Sequence, residues 1–237
     1  MTERNYEAAA KEIKDGLKPR AIVFLQEIRN AQCASNLAAR AGLDVAAVSS
    51  FRNYDGRTGW QQCAILTDLP VKECEWKYFH GAKGIKGKPP RGYVRAKIDA
   101  GEDGVIDCIC VHLKSNYGAG KDESVKMQNR RKREESVRQL PKDSPVAVVA
   151  GDLNFDAFSG EFEGEQTADI LVWSGFADAW AGAPLELRGT HPGSGRWPDS
   201  TLDYIFLKGL RSGEYPSLGS HGGVSDHRIV WLRAFRP

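Results

Sequence analysis

Acidic, amide and imidazole side chains lie at the ends of several apolar segments of this sequence. They are Glu27 after AIVFLQ, His112 after CICV, Asp152 and Asn154 in VVAGDLN, Asp203 before YIFL, and Asp226 and His227 before RIVWL. One such residue is readily explained by a turn or a helix cap, because Gly, Asp and Asn favour both. Five apolar segments with the same feature indicate a shared rim, where loops meet and sites are commonly built.

The residue types on this rim favour hydrolysis of a phosphoester. Carboxylates such as Glu27 and Asp226 are hard oxygen ligands that suit Mg²⁺, Mn²⁺ or Ca²⁺. A histidine beside a carboxylate is favoured as the cation and can donate a hydrogen bond to a developing anion. Asp152 has the chemistry to orient or deprotonate a water, whereas Asn154 cannot titrate and would position other groups. A reacting phosphate group needs such cations and donors around its oxygens.

Each of these residues also has an interpretation without chemistry. Taken alone, Glu27 is better explained as a strand-end charge and His112 as a hydrogen-bonded interior histidine. Asp203 alone is better explained by an ion pair with a nearby Lys or Arg. The hypothesis of a site therefore depends on the joint pattern in five segments.

Composition sets the broad class of the protein. The chain has 237 residues and a net charge of +2, which is too small to indicate a nucleic-acid partner by itself. Its length is ample for one large domain, and we expect a single domain over residues 1–237. No apolar stretch is long enough to span a bilayer, and the polar N-terminus is not a secretory signal. The five cysteines are irregularly spaced, with no CxxC pair, so we expect a reduced cytoplasmic protein.

Hydrophobic periodicity predicts a mixed α/β fold. Helices are predicted over 6–17, 31–42, 122–140 and 167–173, with stops at Gly42 and Pro141. Strands are predicted over 20–27, 61–68, 91–99, 104–114, 144–154, 201–208 and 227–235. Several strands are apolar on both sides, which favours sheets packed together with helices outside. The consecutive strands between 61 and 114 indicate antiparallel hairpins.

The ordered set LQE, HLKSN, GDLN, LDYIF and SDH resembles the endonuclease/exonuclease/phosphatase superfamily, which includes deoxyribonuclease I and the abasic-site endonucleases. The resemblance runs from about residue 20 to the C-terminus, and GDxN together with SDH is its most specific part. It implies a four-layer α/β sandwich, in which two mixed β-sheets pack face to face with helices outside. It also places a site at one edge of the sandwich and implies a divalent cofactor, Mg²⁺ or Mn²⁺.

The resemblance also implies roles for individual residues. Glu27 would be the principal metal ligand, with Asp226 near the metal. His112 would contact the scissile phosphate, and Asp152 would activate the attacking water, assisted by Asn154. Asp203 would pair with His227 and keep it cationic. The remaining candidates, which are expected to face substrate phosphate, are Arg91, Lys114, Asn116 and Thr190. Lys114 and Asn116 are included because they share a strand face with His112.

The N-terminal region departs from the family pattern. Family members begin with a strand that ends in an Asn, which helps to hold the metal. Asn5 lies beside the first predicted helix and follows no apolar strand, so we do not assign it this role. Without that strand, the edge of a neighbouring strand would be exposed. A second copy of the chain could then cover that edge, as a homo-oligomer.

Two basic stretches favour nucleic acid as the substrate. The segment from Lys83 to Lys97 contains six cations and no acid, and 130–133 is a run of Arg and Lys on a predicted helix. Such residues supply non-specific affinity for a phosphate backbone, although the helix run is also typical of a solvated face. We therefore expect a metal-dependent nuclease, with DNA favoured over RNA and no membrane partner. The alternatives are an enzyme for small or lipid phosphoesters and a metal-poor nucleic-acid binder without turnover.

Overall fold

The computed structural model describes residues 3–16, 20–53, 56–120, 122–193, 199–220 and 223–237. The α-helices are α1 (Glu3–Gly16), α2 (Ala31–Ala41), α3 (Glu123–Arg138) and α4 (Thr167–Trp173). The β-strands are β1 (Ile22–Ile28), β2 (Asp44–Val48), β3 (Gln62–Thr67), β4 (Val71–Tyr78), β5 (Gly92–Asp99), β6 (Val105–His112), β7 (Ala147–Asp152), β8 (Ala177–Asp178), β9 (Asp203–Lys208), β10 (Ser217–Leu218) and β11 (Val230–Trp231).

The helices begin and end at residues that satisfy their free backbone groups. The side chain of Asn30 accepts from the backbone N–H of Cys33 at the start of α2, and Gly42 ends that helix at a φ of 76°. Asp122 caps α3 in the same way, accepting from the backbone of Ser124 and Val125. The predicted helix boundaries in these two regions are thus explained by local capping.

Two sheets form the centre of the fold. The larger has six strands in the order β4-β5-β6-β7-β9-β8, and the smaller has three in the order β1-β3-β2. In the large sheet β6 and β7 are parallel and the other pairs are antiparallel, whereas every pair in the small sheet is antiparallel. The predicted antiparallel hairpin holds for β5 and β6, but β3 belongs to the other sheet.

Apolar side chains join four layers. One core lies between the two sheets and includes Ile65 and Val94. A second core packs α1 and α2 on the outer face of the small sheet, and a third packs α3 and α4 on the outer face of the large sheet. This arrangement confirms the predicted α/β sandwich with helices outside. No helix in the described segments is long and apolar enough to cross a lipid bilayer.

Two regions differ from the prediction. The sequence analysis missed β2 and β4; β4 is an exposed edge strand rich in charged residues, which resembles a loop in composition. The C-terminal segment, predicted as a strand over 227–235, forms only the short β11, which pairs with β10 in a separate ribbon. Its remaining residues line a cavity instead of extending a large sheet.

That cavity, of about 1070 Å³, lies beside β1. Within the described chain β1 pairs with β3 on one side only, so its other edge borders the cavity. The cavity walls include apolar side chains from both sheets, such as Phe24, Val148 and Ile205. Glu27, Asp203, Asp226 and His227 also line it, so the cavity reaches the predicted site.

Candidate active site

Three neighbouring strands bring His112, Asp152 and Asp203 into one row. His112 ends β6, Asp152 ends the parallel strand β7, and Asp203 begins the antiparallel strand β9. The strand register pairs His112 with Asp152 and Asp152 with Asp203. Directly paired residues lie about 5 Å apart, so the sheet itself assembles these three side chains.

His227 joins this row through Asp203. Its ring Nδ1 lies 2.7 Å from a carboxylate oxygen of Asp203. Burial opposes the charged form of His227, but the hydrogen bond and negative charge of Asp203, with the charges of Asp152 and Asp226, outweigh it and raise its pKa to about 9. His227 is therefore an imidazolium at neutral pH.

The pKa of Asp152 is also raised, but by burial and by a like charge. Its carboxyl group is buried, and burial together with the negative charge of Asp203 raises its pKa to about 7. The positive charge of His227 and a hydrogen bond from the backbone of Asn154 oppose this shift. A carboxyl group with a pKa close to neutrality can accept a proton from water and release it again, as a general base requires.

Asn154 holds the Asp152 carboxylate in place. Its backbone N–H and its side-chain Nδ2 each donate to Asp152, both at 2.8 Å. Asn154 adopts a positive φ of 50°, which is uncommon outside glycine and is tolerated best by Asn and Asp. Gly151, three residues before Asn154, has a φ of 138°, and a Cβ there would lie 2.1 Å from the carbonyl oxygen of Val111. The GDLN sequence is thus required by backbone geometry as well as by chemistry.

His112 is buried between the charged groups. Its Nε2 lies 3.3 Å from Asp152 and 3.9 Å from Glu27. Burial and the nearby cations Arg91, His227 and Lys114 hold its pKa well below the usual range, so the ring is neutral. Its Nδ1 is the one buried side-chain nitrogen or oxygen in the described residues without a hydrogen-bond partner.

Glu27 reaches the site because β1 is irregular at this point. The register of β1 against β3 shifts between Leu25 and Ile28, and Glu27 has a φ of 56°. Bulges of this kind re-aim a side chain, and backbone strain is commonly found at functional sites. The exposed carboxylate of Glu27 accepts from Nε2 of Gln61 at 2.8 Å.

Gln61 was missed by the sequence analysis. The guanidinium of Arg91 donates to its side-chain oxygen, so a chain of hydrogen bonds runs from Arg91 through Gln61 to Glu27. A glutamine in the polar stretch before β3 carries no signal of such a role in the sequence. The role of Gln61 is evident only from the position of its side chain in the structure.

Two predicted phosphate contacts are corrected by burial. Arg91 is 8% exposed, and its guanidinium donates to the backbone oxygens of His112 and Leu113. Thr190 is fully buried, and its hydroxyl accepts from the backbone N–H groups of Leu202 and Asp203. Both side chains therefore support the site from within instead of facing a phosphate.

The two candidates that follow His112 are also placed differently from the prediction. Strand β6 ends at His112, so the alternation that would put Lys114 and Asn116 on the same face does not continue. Asn116 accepts from Arg133 and donates to Glu161, which uses both ends of its amide. Lys114 is half-buried and donates to the carbonyl of Ser115, and burial with neighbouring cations lowers its pKa.

Asp226 and one unpredicted residue, His191, complete the rim. Asp226 is exposed, and one potential ligand atom each from His191, Asp226 and His227 lies within 4.8 Å of the other two. The rings of His191 and His227 meet edge to face with centroids 4.9 Å apart. His191 follows Thr190 in the sequence THPG, and the sequence analysis named only the threonine.

The geometry thus joins a base with a pKa near 7, an imidazolium and exposed carboxylates on one rim. Glu27, His112, Asp152, Asn154, Asp203 and His227 are brought together as predicted from their positions at strand ends. This combination can activate a water and stabilise negative charge on a reacting group.

The fold and this site define a class of hydrolases that act on phosphoester bonds. Residues 4–227 match the model of the Endonuclease/Exonuclease/phosphatase family, and the chain belongs to that family. Its members hydrolyse phosphoester bonds and generally use divalent metals. No curated protein matches the sequence at a significant level.

Solved structures of the family share the fold at low sequence identity. An endonuclease/exonuclease/phosphatase from Beutenbergia cavernae is 15% identical with a TM-score of 0.67, over 98% of this chain and 66% of that one. The chain thus spans slightly less than two thirds of that protein. A family protein from Leptotrichia buccalis is 16% identical with a TM-score of 0.66, over 98% and 92%. A mannosyl-6-phosphatase from Bacteroides thetaiotaomicron is 16% identical with a TM-score of 0.61, over 98% and 90%.

The residues of the rim fit the divalent cation that the family generally uses. Asp152 and Asp203 are at most 14% exposed and accept hydrogen bonds from Asn154 and His227. Glu27, although it accepts from Gln61, and Asp226 are therefore the carboxylates best able to hold a metal. Both are exposed, and their hard oxygens suit Mg²⁺ or Mn²⁺. Such a cation, when bound, would neutralise charge on a phosphate group.

Proposed function

We propose that the protein is a divalent-metal-dependent phosphodiesterase that hydrolyses nucleic acid, with DNA favoured over RNA. The observation that supports the proposal is that the site combines a carboxyl group whose pKa is about 7, Asp152, with a cation, His227. Asp203 keeps His227 protonated. Asp152 would take a proton from the attacking water. The imidazolium of His227 would donate a hydrogen bond to a phosphate oxygen as negative charge develops there.

Neighbouring residues would position these two groups. Asn154 fixes the carboxylate of Asp152 with two hydrogen bonds, and Asp203 fixes the ring of His227. His112 is neutral and lies within 3.3 Å of Asp152, so it would donate a hydrogen bond without adding a charge. Glu27 and Asp226 would hold the metal beside the phosphate.

A basic surface, formed by a loop and the facing part of α3, supports nucleic acid as the substrate. The loop that contains Lys83, Lys86 and Lys88 packs against α3: the backbone of Lys86 donates to Gln128, and Arg131 donates to the backbone of Gly84. The two basic stretches of the sequence are therefore adjacent in space. The remaining cations of the first stretch are used elsewhere, since Arg95 pairs with Asp107 and Lys97 with Glu73.

This surface extends toward the site. Burial, followed by the charges of Arg91, Lys132 and Arg133, lowers the pKa of Lys114, which lies two residues beyond His112. Cations that line an approach to a site attract a phosphate backbone and make its binding dependent on salt. A polyanion that crosses α3 would place one of its phosphates near the site.

The first test is cleavage of plasmid DNA and of labelled DNA and RNA oligonucleotides with Mg²⁺ or Mn²⁺. Asp152→Ala and His227→Ala should each reduce cleavage by about 10²-fold or more, since each removes a group that handles a proton or charge. Asp178→Asn is the matched control, because Asp178 is another largely buried carboxyl group with a raised pKa, about 6. Absence of cleavage by the wild type, or equal cleavage by the site variants, would contradict the proposal.

The basic surface has its own test. Replacing Lys83 and Lys86 by Gln should raise KM for DNA and flatten its dependence on salt, with little change in kcat. Replacing Lys11 and Lys14 of α1 by Gln provides a control with the same loss of charge. Equal effects of the two double variants would leave the basic surface without a role.

A second candidate substrate class is a phosphoester with an apolar group. The specific observation is the apolar cavity of about 1070 Å³, which is lined by Phe24, Val148 and Ile205 and reaches Asp203 and His227. An acyl or aryl group could occupy it while the phosphate contacts the site. Hydrolysis of such an ester under conditions in which DNA and RNA stay intact would select this class, and salt-sensitive DNA binding without turnover would instead indicate a nucleic-acid binder.

A further inference from the structure

Two imidazoles and a carboxylate converge at one end of the rim. They are contributed by His191, Asp226 and His227, whose potential ligand atoms all lie within 4.8 Å of one another. In the described part of the chain, this is the one group of three or more His, Cys, Asp or Glu side chains close enough to hold a metal ion. It does not include Glu27, and it shares Asp226 with the pair of carboxylates that fit Mg²⁺.

The orientation of His227 favours coordination. Its Nδ1 faces Asp203 at 2.7 Å, so its Nε2 points away from that carboxylate. Histidines that bind metals usually donate their other ring nitrogen to a carboxylate, which fixes the ring and increases the basicity of the coordinating nitrogen. Asp203 and His227 form such a pair.

His191 is also held in position before any ligand binds. Its backbone N–H and C=O both pair with Ser200, each at 2.9 Å, and its half-exposed ring packs edge to face on His227. No hydrogen bond from its ring nitrogens to another described residue is present. The imidazole therefore has a fixed backbone, and among the described residues its coordinating nitrogens are not used by another hydrogen bond.

We propose that His191, Asp226 and His227 form a site for a borderline transition-metal ion such as Zn²⁺ or Co²⁺. Imidazole nitrogen favours these ions over Mg²⁺, which prefers an all-oxygen shell, so the ligand set discriminates against the ion held by Glu27. Two nitrogens and one oxygen supply three of the four ligands of a tetrahedral Zn²⁺ and leave one position for water or a phosphate oxygen.

The site has a consequence for catalysis that rests on the proposed function. A metal bound at Nε2 of His227 takes the place of the proton that makes this ring a hydrogen-bond donor. Zn²⁺ would therefore inhibit hydrolysis supported by Mg²⁺, although both ions are divalent.

Binding is tested first and without reference to activity. Co²⁺ and Zn²⁺ are titrated into the full chain by absorption spectroscopy and calorimetry, in a Cys74→Ser background because Cys74 is an exposed thiol. We expect one site with the visible absorption of tetrahedral Co²⁺, and at least about 10-fold weaker affinity in His191→Asn and in Asp226→Asn. His80→Asn, which removes an exposed histidine elsewhere, should bind as the parent does.

Two results would overturn the proposal. One is equal affinity of His191→Asn and the parent protein for both ions; the other is an equal loss in His80→Asn. In assays with saturating Mg²⁺, Zn²⁺ should inhibit the parent at about 10-fold lower concentration than it inhibits His191→Asn. If the parent hydrolyses no phosphoester, the proposed function fails, while the binding titrations still decide whether the metal site exists.

Discussion

At the scale of single residues, one carboxylate affects the protonation of two other groups in the site, a histidine and a second carboxylate. Asp203 raises the pKa of His227 by hydrogen bonding and charge, and it raises the pKa of Asp152 by repulsion. The reaction needs Asp152 ionised and His227 protonated. Activity should therefore rise with pH through about 7 and fall above about 9.

Replacing Asp203 by Asn should move both limbs of this profile to lower pH. Without the carboxylate, His227 loses its proton more readily, so the alkaline limb moves down. Asp152 no longer meets a neighbouring negative charge and ionises more readily, so the acidic limb moves down as well. The measurement is kcat/KM against pH at saturating metal, and a variant whose alkaline limb stays at about 9 would argue against the pairing of Asp203 with His227.

Asp152→Asn should make the protein more stable at pH 8 while removing its activity. The folded state keeps the proton of Asp152 up to about pH 7, whereas the unfolded chain loses it near pH 4, so the carboxylate costs stability increasingly as pH rises between these values. Asn avoids this cost, and we expect a gain of about 1–2 kcal/mol at pH 8 and little at pH 4. Urea denaturation without metal at both pH values measures it.

Asp178→Asn is the comparison for this stability experiment. Burial also raises the pKa of Asp178, to about 6, and its carboxyl group accepts from the backbone of Trp180 outside the site. It should stabilise in the same direction and keep full activity. A loss of stability in Asp152→Asn at pH 8 would show that the hydrogen bonds from Asn154 outweigh the burial of charge.

At the scale of secondary-structure elements, the position of most site residues is explained by strands whose ends lie side by side in the large sheet. His112, Asp152 and Asp203 could be predicted because they end apolar strands, and the register of β6, β7 and β9 places them in a row. Gln61 and His191 could not, because each lies in a polar stretch whose orientation depends on a neighbouring chain segment.

The errors of prediction have a common physical origin. Arg91 and Thr190 are polar side chains that satisfy backbone groups inside the protein, and a sequence does not distinguish a buried polar residue from an exposed one. Asn116 was misplaced because β6 ends four residues earlier than assumed for its strand face. Burial and strand termination are tertiary properties that no local pattern contains.

Gln61 connects β3 to Glu27, the proposed metal ligand on β1, and Gln61→Ala tests this connection. Glu27 would lose its 2.8 Å hydrogen bond and the link to Arg91. The Mg²⁺ concentration for half-maximal activity should rise by about 10-fold, with kcat at saturating Mg²⁺ nearly unchanged. Gln32→Ala on the exposed face of α2 serves as the control. An unchanged Mg²⁺ requirement in Gln61→Ala would contradict a role of Gln61 in positioning Glu27.

The basic run on α3, for which the sequence left open a substrate surface or a solvated face, contains a buried ion pair. Arg133 and Glu165 are each 1% exposed and form two hydrogen bonds, at 2.7 and 2.6 Å. Arg133→Met should cost about 3–5 kcal/mol because it leaves a buried carboxylate without its partner. The double variant with Glu165→Leu should recover much of this loss, as measured by urea denaturation.

Arg138→Met gives the reference for a surface charge on the same helix. Its contacts to Glu134 and Glu135 are 3.9 Å long and its side chain is largely exposed, so it should cost less than about 1 kcal/mol. Equal losses in Arg133→Met and Arg138→Met would mean that the buried pair contributes no more than a surface one.

At the scale of the whole molecule, the two sheets differ in width. The large sheet has six strands and the small sheet three, so part of the inner face of the large sheet, including Val148 and Ile205, borders the cavity beside β1. Self-association through the edge of β1 remains a proposal. Light scattering over a range of concentrations measures it.

Strand β1 packs centrally in the fold, but the backbone N–H and C=O groups along one of its edges face the cavity. Amide protons of β1 that face β3 are held in a ladder, while their alternate neighbours border the cavity. In deuterated buffer, β1 should therefore label in two populations, one slow like β6 and one fast like a loop. Uniformly slow exchange along β1 would mean that, in solution, something occupies this space.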